Sequence, residues 1–177
     1  KGKNFCIDSS TCSISNEKII RSLFHVKLNA DPCYSLKSIK NKTELKHMIN
    51  AHIEDGLALT KFIYWIKNKN KKKITEVDAQ NKLESFRKLN KNYLFPSFNT
   101  IAGTGSNGAI VHYRAKNKYA KVIKNKDIFL CDSGGQYSYG TTDVTRTISF
   151  SNQTKAIKNI YTKVLKGHIA VVQTNLK

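Results

Sequence analysis

Two aspartates, Asp132 and Asp143, flank a glycine- and tyrosine-rich segment within the stretch FLCDSGGQYSYGTTDVTRTISF, residues 129–150. The runs over 128–132 and 142–150 read as strands. Paired as an antiparallel hairpin with Asp132 opposite Asp143, they put Tyr137 and Ser138 at the turn. Alternation sends Ile128, Leu130 and Asp132 to one face, opposite Asp143, Thr145 and Thr147. Directly opposed side chains have Cβ atoms about 5 Å apart. Two carboxylates that close resist ionising together unless a cation is shared. At this separation they can hold a pair of divalent ions about 3.5–4 Å apart. Oxygen ligands suit manganese, cobalt or zinc. The plainer use of such aspartates is hydrogen bonding to turn amides. Spacing leaves both readings open, and two donors are fewer than a metal centre takes.

The elements that must position these residues are legible along the chain. Residues 3–30 read as a small strand–helix–strand piece (NFCID, SNEKIIRSLF, FHVKLNA), after which Asp31-Pro32 breaks regular structure. A piece this short cannot bury both faces of its strands alone, so it is expected to be the tail of a preceding domain. A long helix opens at Asn41-x-x-Glu44, with Leu45, Met48, Ile49, His52, Leu59, Ile63 and Ile66 as its buried stripe and Tyr64 and Trp65 as core or interface residues. His47 and His52 lie five residues apart, too far around a helix to share a metal, and read as surface and core histidines. The lysine-rich run 67–73 leads to a second helix capped by Thr75-x-x-Asp78, with Val77, Leu83, Phe86 and Leu89 on its apolar side. Beyond Pro96 the pattern changes to strands and turns punctuated by Gly103, Gly105 and Gly108, with AIVHY (109–113) as a strand. A third helix from Thr154 turns Ile157, Ile160, Tyr161, Val164, Leu165, His168 and Val172 to its buried face.

The 177 residues are 40% apolar, enough for a packed core and against a disordered tail. Net charge is +19, from 31 Lys+Arg against 12 Asp+Glu. Such a balance raises nucleic-acid binding. The charge is lysine-diffuse, however, and its longest run carries no aromatic residues to stack on bases, so a solvated surface is expected and nucleic acid is not. Cys6, Cys12, Cys33 and Cys131 have no zinc spacing, and a reduced, cytoplasmic protein is expected despite N-x-T triplets at Asn41 and Asn152. No apolar run is long enough to span a membrane. The chain begins with Lys1, so it is expected to be part of a longer product.

With these residues in view, NGAIVHY and CDSGGQYSYGTTDVTRT resemble aminopeptidase P, the X-prolyl aminopeptidases among the pita-bread (creatinase/methionine aminopeptidase-like) metallohydrolases. AHIEDGLALTKFIYWI and FPSFNTIAGTGSNGAIVHY fit the same pattern in the same order. The resemblance implies an α/β (α+β) chain, a partial pita-bread fold. Residues 35–177 would be the first half of the catalytic domain, and residues 1–34 the tail of a non-catalytic, creatinase N-terminal-like domain. It implies that Asp132 chelates one metal ion, that Asp143 bridges two, and that His112 assists proton handling or substrate positioning. Arg146 alternates away from the aspartates and reads as a structural ion-pair former, and His168 as a core residue.

The implied reaction is dinuclear-metal hydrolysis that releases the N-terminal amino acid from peptides with proline second. The cofactor would be two divalent ions, Mn2+ first, with Zn2+ or Co2+ as alternatives, and the parent protein a homodimer. In this family the second half supplies an H-G-x-G-H type motif and two glutamates. After Asp143 this chain has His168 as its only histidine, and no glutamate follows Glu84. The expectation is a first catalytic half with its metal site divided, inactive alone. The alternative is a non-catalytic pita-bread protein that binds RNA or protein partners, against which both aspartates stand in an intact motif.

Overall fold

The computed structural model describes residues 2–68 and 73–174, so most of the lysine run lies outside the described residues. The chain divides into two compact units, Lys1–Lys46 and His47–Lys177.

The first unit has the predicted strand–helix–strand order, with β1 (Asn4–Ile7) and β2 (His25–Leu28) joined by α1 (Ile14–Leu23), and its two strands pair in parallel. Ser13 caps α1 by accepting the Asn16 N–H at 3.2 Å. The Asp31-Pro32 step does not end regular structure. It starts a short helix, α2 (Pro32–Ser38). The Asp31 carboxylate accepts the Cys33 N–H at 2.8 Å, and Pro32 occupies the first helical position, where its missing N–H costs nothing.

α3 (Lys42–Asn68) opens with the predicted reciprocal cap: Asn41 Oδ1 accepts the Glu44 N–H at 2.9 Å, and Glu44 accepts the Asn41 N–H at 2.8 Å. Its buried stripe is Ala51, Asp55, Ala58, Leu59, Phe62 and Ile66. Leu59 and Ile66 lie on it and His47 is exposed, as expected, whereas Leu45, Ile49 and His52 are exposed against expectation. Trp65 is half-buried with its ring 6.1 Å from Phe62, while Tyr64 is exposed. α4 (Glu76–Arg87) carries the predicted capping box, with Thr75 Oγ1 accepting the Asp78 N–H at 3.1 Å and Asp78 accepting the Thr75 N–H at 2.8 Å. It buries Glu76, Ala79, Leu83 and Arg87, while Leu89, beyond its end, is exposed.

Two three-stranded sheets follow. β3 (Tyr93–Pro96), β6 (Gly135–Tyr137) and β7 (Gly140–Thr141) form one, and β4 (Ile101–Thr104), β5 (Ile128–Ser133) and β8 (Val144–Ser149) the other. The β4–β5–β8 sheet gives Ala102, Phe129, Cys131 and Ile148 to a core completed by Leu59, Phe62 and Ile66 of α3 and Ala79 and Leu83 of α4. Two helices thus cover one face of an antiparallel sheet.

AIVHY is not a strand. A 3-10 turn occupies Gly105–Ala109, and the chain then bends through Val111 and His112. The last helix, α5 (Lys155–Gln173), is capped by Thr154 as expected but has no buried residue. His168 is exposed, which corrects its core reading, and Ile160, Tyr161, Val164 and Val172 are each more than half exposed.

Candidate metal centre

The hairpin that carries the two aspartates forms, displaced by two residues from the expected register. Asp132 pairs with Thr145 and Ser133 with Val144, and beyond them Gln136 pairs with Thr141 and Tyr137 with Gly140. The reversal therefore falls at Ser138–Tyr139. A displacement of two leaves every side chain on its predicted face, because strand side chains have a period of two. Asp143, one step outside β8, shares the face of Asp132 as a diagonal neighbour rather than an opposed one. Diagonal positions are about 7–8 Å apart, farther than the opposed pair expected from the sequence.

Asp132 is half-buried, and its Oδ1 accepts the Thr145 hydroxyl at 2.7 Å. Asp143 is exposed, and neither of its oxygens accepts a hydrogen bond among the described residues. Neither aspartate forms an ion pair among those residues, although the chain holds 31 Lys+Arg. Two carboxylates on one face with open oxygens and no cationic side chain against them fit part of a divalent-metal site. Among the described residues no group of three or more His, Cys, Asp and Glu stands ready to hold a metal. Arg146 forms no ion pair there either. Its Nη1 donates to the Thr145 carbonyl at 2.8 Å, which corrects the ion-pair expectation.

His112 lies past the 3-10 turn, exposed, at φ 53, the one non-glycine residue with positive φ among those described. Histidine is among the few residue types that adopt this left-handed conformation with any frequency. It makes no hydrogen bond to either aspartate among the described residues. The turn that presents it is anchored from beneath: Tyr113 donates its hydroxyl to Glu76 Oε2 at 2.8 Å. The buried Glu76 carboxylate also accepts the Thr104 N–H at 2.8 Å, the Lys121 N–H at 3.0 Å, and Asn107 Nδ2 at 3.0 and 3.1 Å. Burial first, and Glu76 second, push the Tyr113 phenol up to about 12, so it remains a donor.

A second buried carboxylate serves the aspartate ribbon. Asp55 of α3 accepts Arg87 Nε at 2.6 Å and Nη2 at 3.0 Å, with both side chains fully buried. Tyr137 donates to Asp55 Oδ1 at 2.9 Å and Thr142 to Oδ2 at 3.0 Å, while Arg87 Nη2 also donates to Ser133 Oγ at 3.1 Å. Burial alone would lower the Arg87 pKa. The hydrogen bonds and charge of Asp55 more than reverse this, so the guanidinium stays charged. Gly134 completes the floor: a Cβ there would fall 1.9 Å from the Thr142 carbonyl oxygen and 2.2 Å from Ser97 Oγ. Sequence reasoning missed Asp55, Glu76 and Arg87 as buried residues. The signal was present in the four-residue spacing of Ala51, Asp55 and Leu59, where an acid interrupts an apolar stripe.

Residues 46–177 match metallopeptidase family M24, and the chain belongs to that family. It is 48% identical over 143 residues to the "Probable Xaa-Pro aminopeptidase P" of Paracoccidioides brasiliensis (strain Pb03), a match that covers 79% of this chain and 23% of that protein. The crystal structure of X-prolyl aminopeptidase from Caenorhabditis elegans, described as a cytosolic enzyme with a di-nuclear active site, superposes with a TM-score of 0.71 at 32% identity, over 75% of this chain and 22% of that one. The prolidase of Pyrococcus horikoshii OT3 superposes with a TM-score of 0.80 at 25% identity, over 97% of this chain and 48% of that one. The fold is the α/β pita-bread fold in part, and the chain spans about a quarter of the length of the curated relatives it matches.

Proposed function

We propose that the protein containing this chain is an X-prolyl aminopeptidase that works with two divalent metal ions, Mn2+ first. The reaction adds water across the peptide bond before a second-position proline, giving an amino acid and a peptide that begins with proline. The observation that carries this reading is the placement of Asp132 and Asp143 on one strand face with open oxygens, in a chain of family M24. Bound there, a divalent pair supplies Lewis acidity that brings the pKa of water toward neutrality.

Asp132 and Asp143 are the residues of this chain that hold the ions. Asp132, which accepts the Thr145 hydroxyl, would hold one ion, and Asp143, whose carboxylate accepts no hydrogen bond among the described residues, would serve both. His112, held outward by its turn, handles a proton or positions the substrate. Residues 35–177 act as the first half of the catalytic domain, and residues 1–34 as the tail of a preceding non-catalytic one. Two carboxylates are too few for a closed centre, so the remaining donors come from elsewhere in the parent protein, which is a homodimer. We place the protein in the cytoplasm, as the C. elegans X-prolyl aminopeptidase it resembles is described. No helix of the described residues is long and apolar enough to cross a membrane.

The test is hydrolysis of an Xaa-Pro peptide with added Mn2+. Residues 1–177 alone should be inert and the full-length protein active. Asp132→Asn or Asp143→Asn should lower the full-length rate on the order of 1,000-fold, the loss of several kcal/mol of transition-state stabilisation. Full activity in either variant would refute the assignment.

A further inference from the structure

We infer that the buried Asp55–Arg87 pair is a positioning device for the metal-binding aspartates, acting through the hydroxyls of Ser133 and Thr142; this rests on the proposed metal centre. Ser133 directly follows Asp132, and Thr142 directly precedes Asp143. Alternation in β5 sends Ser133 and Asp132 to opposite faces, and between β7 and β8 the buried Thr142 and exposed Asp143 are divided in the same way. Ser133 and Thr142 are buried on the face toward α3 and α4, while Asp132 is half-buried and Asp143 exposed on the other. The two halves of one ion pair each hold one of these hydroxyls. Arg87 Nη2 donates to Ser133 Oγ at 3.1 Å, and Asp55 Oδ2 accepts Thr142 Oγ1 at 3.0 Å. Arg87 and Asp55 are locked to each other by two hydrogen bonds of 2.6 and 3.0 Å. A planar guanidinium against a carboxylate is a rigid fork, so it fixes the separation of whatever is bound to its two sides.

The ribbon adds a second constraint. Thr142 Oγ1 also accepts the Gly135 N–H at 2.9 Å, the Thr142 N–H donates to the Gly135 carbonyl at 2.9 Å, and Tyr137 donates to Asp55 Oδ1 at 2.9 Å. Between Asp132 and Asp143 the ribbon is therefore held at Ser133, Gly135, Tyr137 and Thr142. A buried ion pair contributes little net stability compared with apolar residues of the same volume. What this pair contributes is geometry, and the positions it fixes are the immediate neighbours of both aspartates. Groups hydrogen-bonded directly to a metal ligand change affinity about 10–100-fold when removed, and this pair, acting one residue away, belongs at the lower end.

The experiment compares Thr142→Val, which keeps the shape and loses the hydroxyl, with Thr142→Ser, which keeps the hydroxyl. Both are made in the full-length protein, alongside Ser133→Ala and Asp143→Asn. Mn2+ affinity is measured by calorimetric titration, kcat and KM by Xaa-Pro hydrolysis, and folding by circular dichroism and thermal melting. Mn2+ binding on the order of 10-fold weaker in Thr142→Val and in Ser133→Ala, with intact folding, lower kcat and little change in KM, supports the inference, as does recovery in Thr142→Ser. Unchanged Mn2+ affinity in Thr142→Val and Ser133→Ala, while Asp143→Asn still loses the metal, overturns the positioning role and leaves the metal centre standing. Unchanged affinity in Asp143→Asn as well overturns the metal centre itself. If Thr142→Val fails to fold, Ser133→Ala alone decides.

Discussion

Cys131 and Asp132 are neighbours in β5, and the alternation of the strand sends one into the core and the other to the candidate site. Burial pushes the Cys131 thiol up to about 11, so little thiolate is present near neutral pH. Cys6 and Cys33, by contrast, are exposed. A thiol reagent at pH 8 should therefore modify exposed Cys6 first, Cys33 more slowly because Asp31 raises its thiol pKa, and reach Cys131 only after denaturant is added. Immediate reaction of Cys131 under native conditions would show that the sheet is not packed against α3 and α4 as described. Asp132 and Asp143 themselves were legible in the sequence, as was the face they share, because that face depends only on the period of the strand. Their opposition was not, because it depended on which residues make the reversal. Ser138–Tyr139 and Tyr137–Ser138 are both plausible turns by composition, and each gives a different partner for Asp132.

α4 connects the two anchored regions. Glu76 at its first turn gathers the loop that presents His112, and Arg87 at its last turn clamps the ribbon between Asp132 and Asp143. Glu76→Ala would leave the Thr104 and Lys121 amides, the Asn107 side chain and the Tyr113 hydroxyl without their shared acceptor. The expected cost is roughly 3 kcal/mol in urea unfolding, since each buried group left unsatisfied loses about 1–3 kcal/mol and only some can find water. A loss below about 1 kcal/mol would contradict the hub. The capping box of α4 was readable because a cap is a local arrangement of a few residues. The buried face of α3 was misread for the opposite reason. Small Ala51 and Ala58 and a charged Asp55 mark the core side, while larger Leu45, Ile49 and Leu57 lie exposed. AIVHY imitates strand alternation, yet the 3-10 turn before it and the pull of Glu76 on Tyr113 bend it into a turn.

For the whole molecule, an amphipathic pattern tells which face of α5 is apolar but not what covers it. Ile160, Tyr161, Val164 and Val171 are exposed along that helix, and a groove of about 720 Å³ separates it from Ile128, Thr145 and Thr147 of the sheet. Exposed apolar area of this kind drives association. Residues 1–177 expressed alone should elute from size exclusion as more than a monomer at micromolar concentration, and Ile160→Lys with Val164→Lys should shift them toward monomer. A sharp monomer peak in the unsubstituted chain would count against the exposed face. Whether Asp132 and Asp143 hold a pair of metal ions is decided by metal stoichiometry. The ions are counted by elemental analysis after equilibration with Mn2+, in the full-length protein and in its Asp143→Asn variant. About two ions per chain in the parent and fewer than one in the variant is the expected result for a bridging ligand. Equal occupancy in the two proteins would mean that the face shared by Asp132 and Asp143 does not hold the metal.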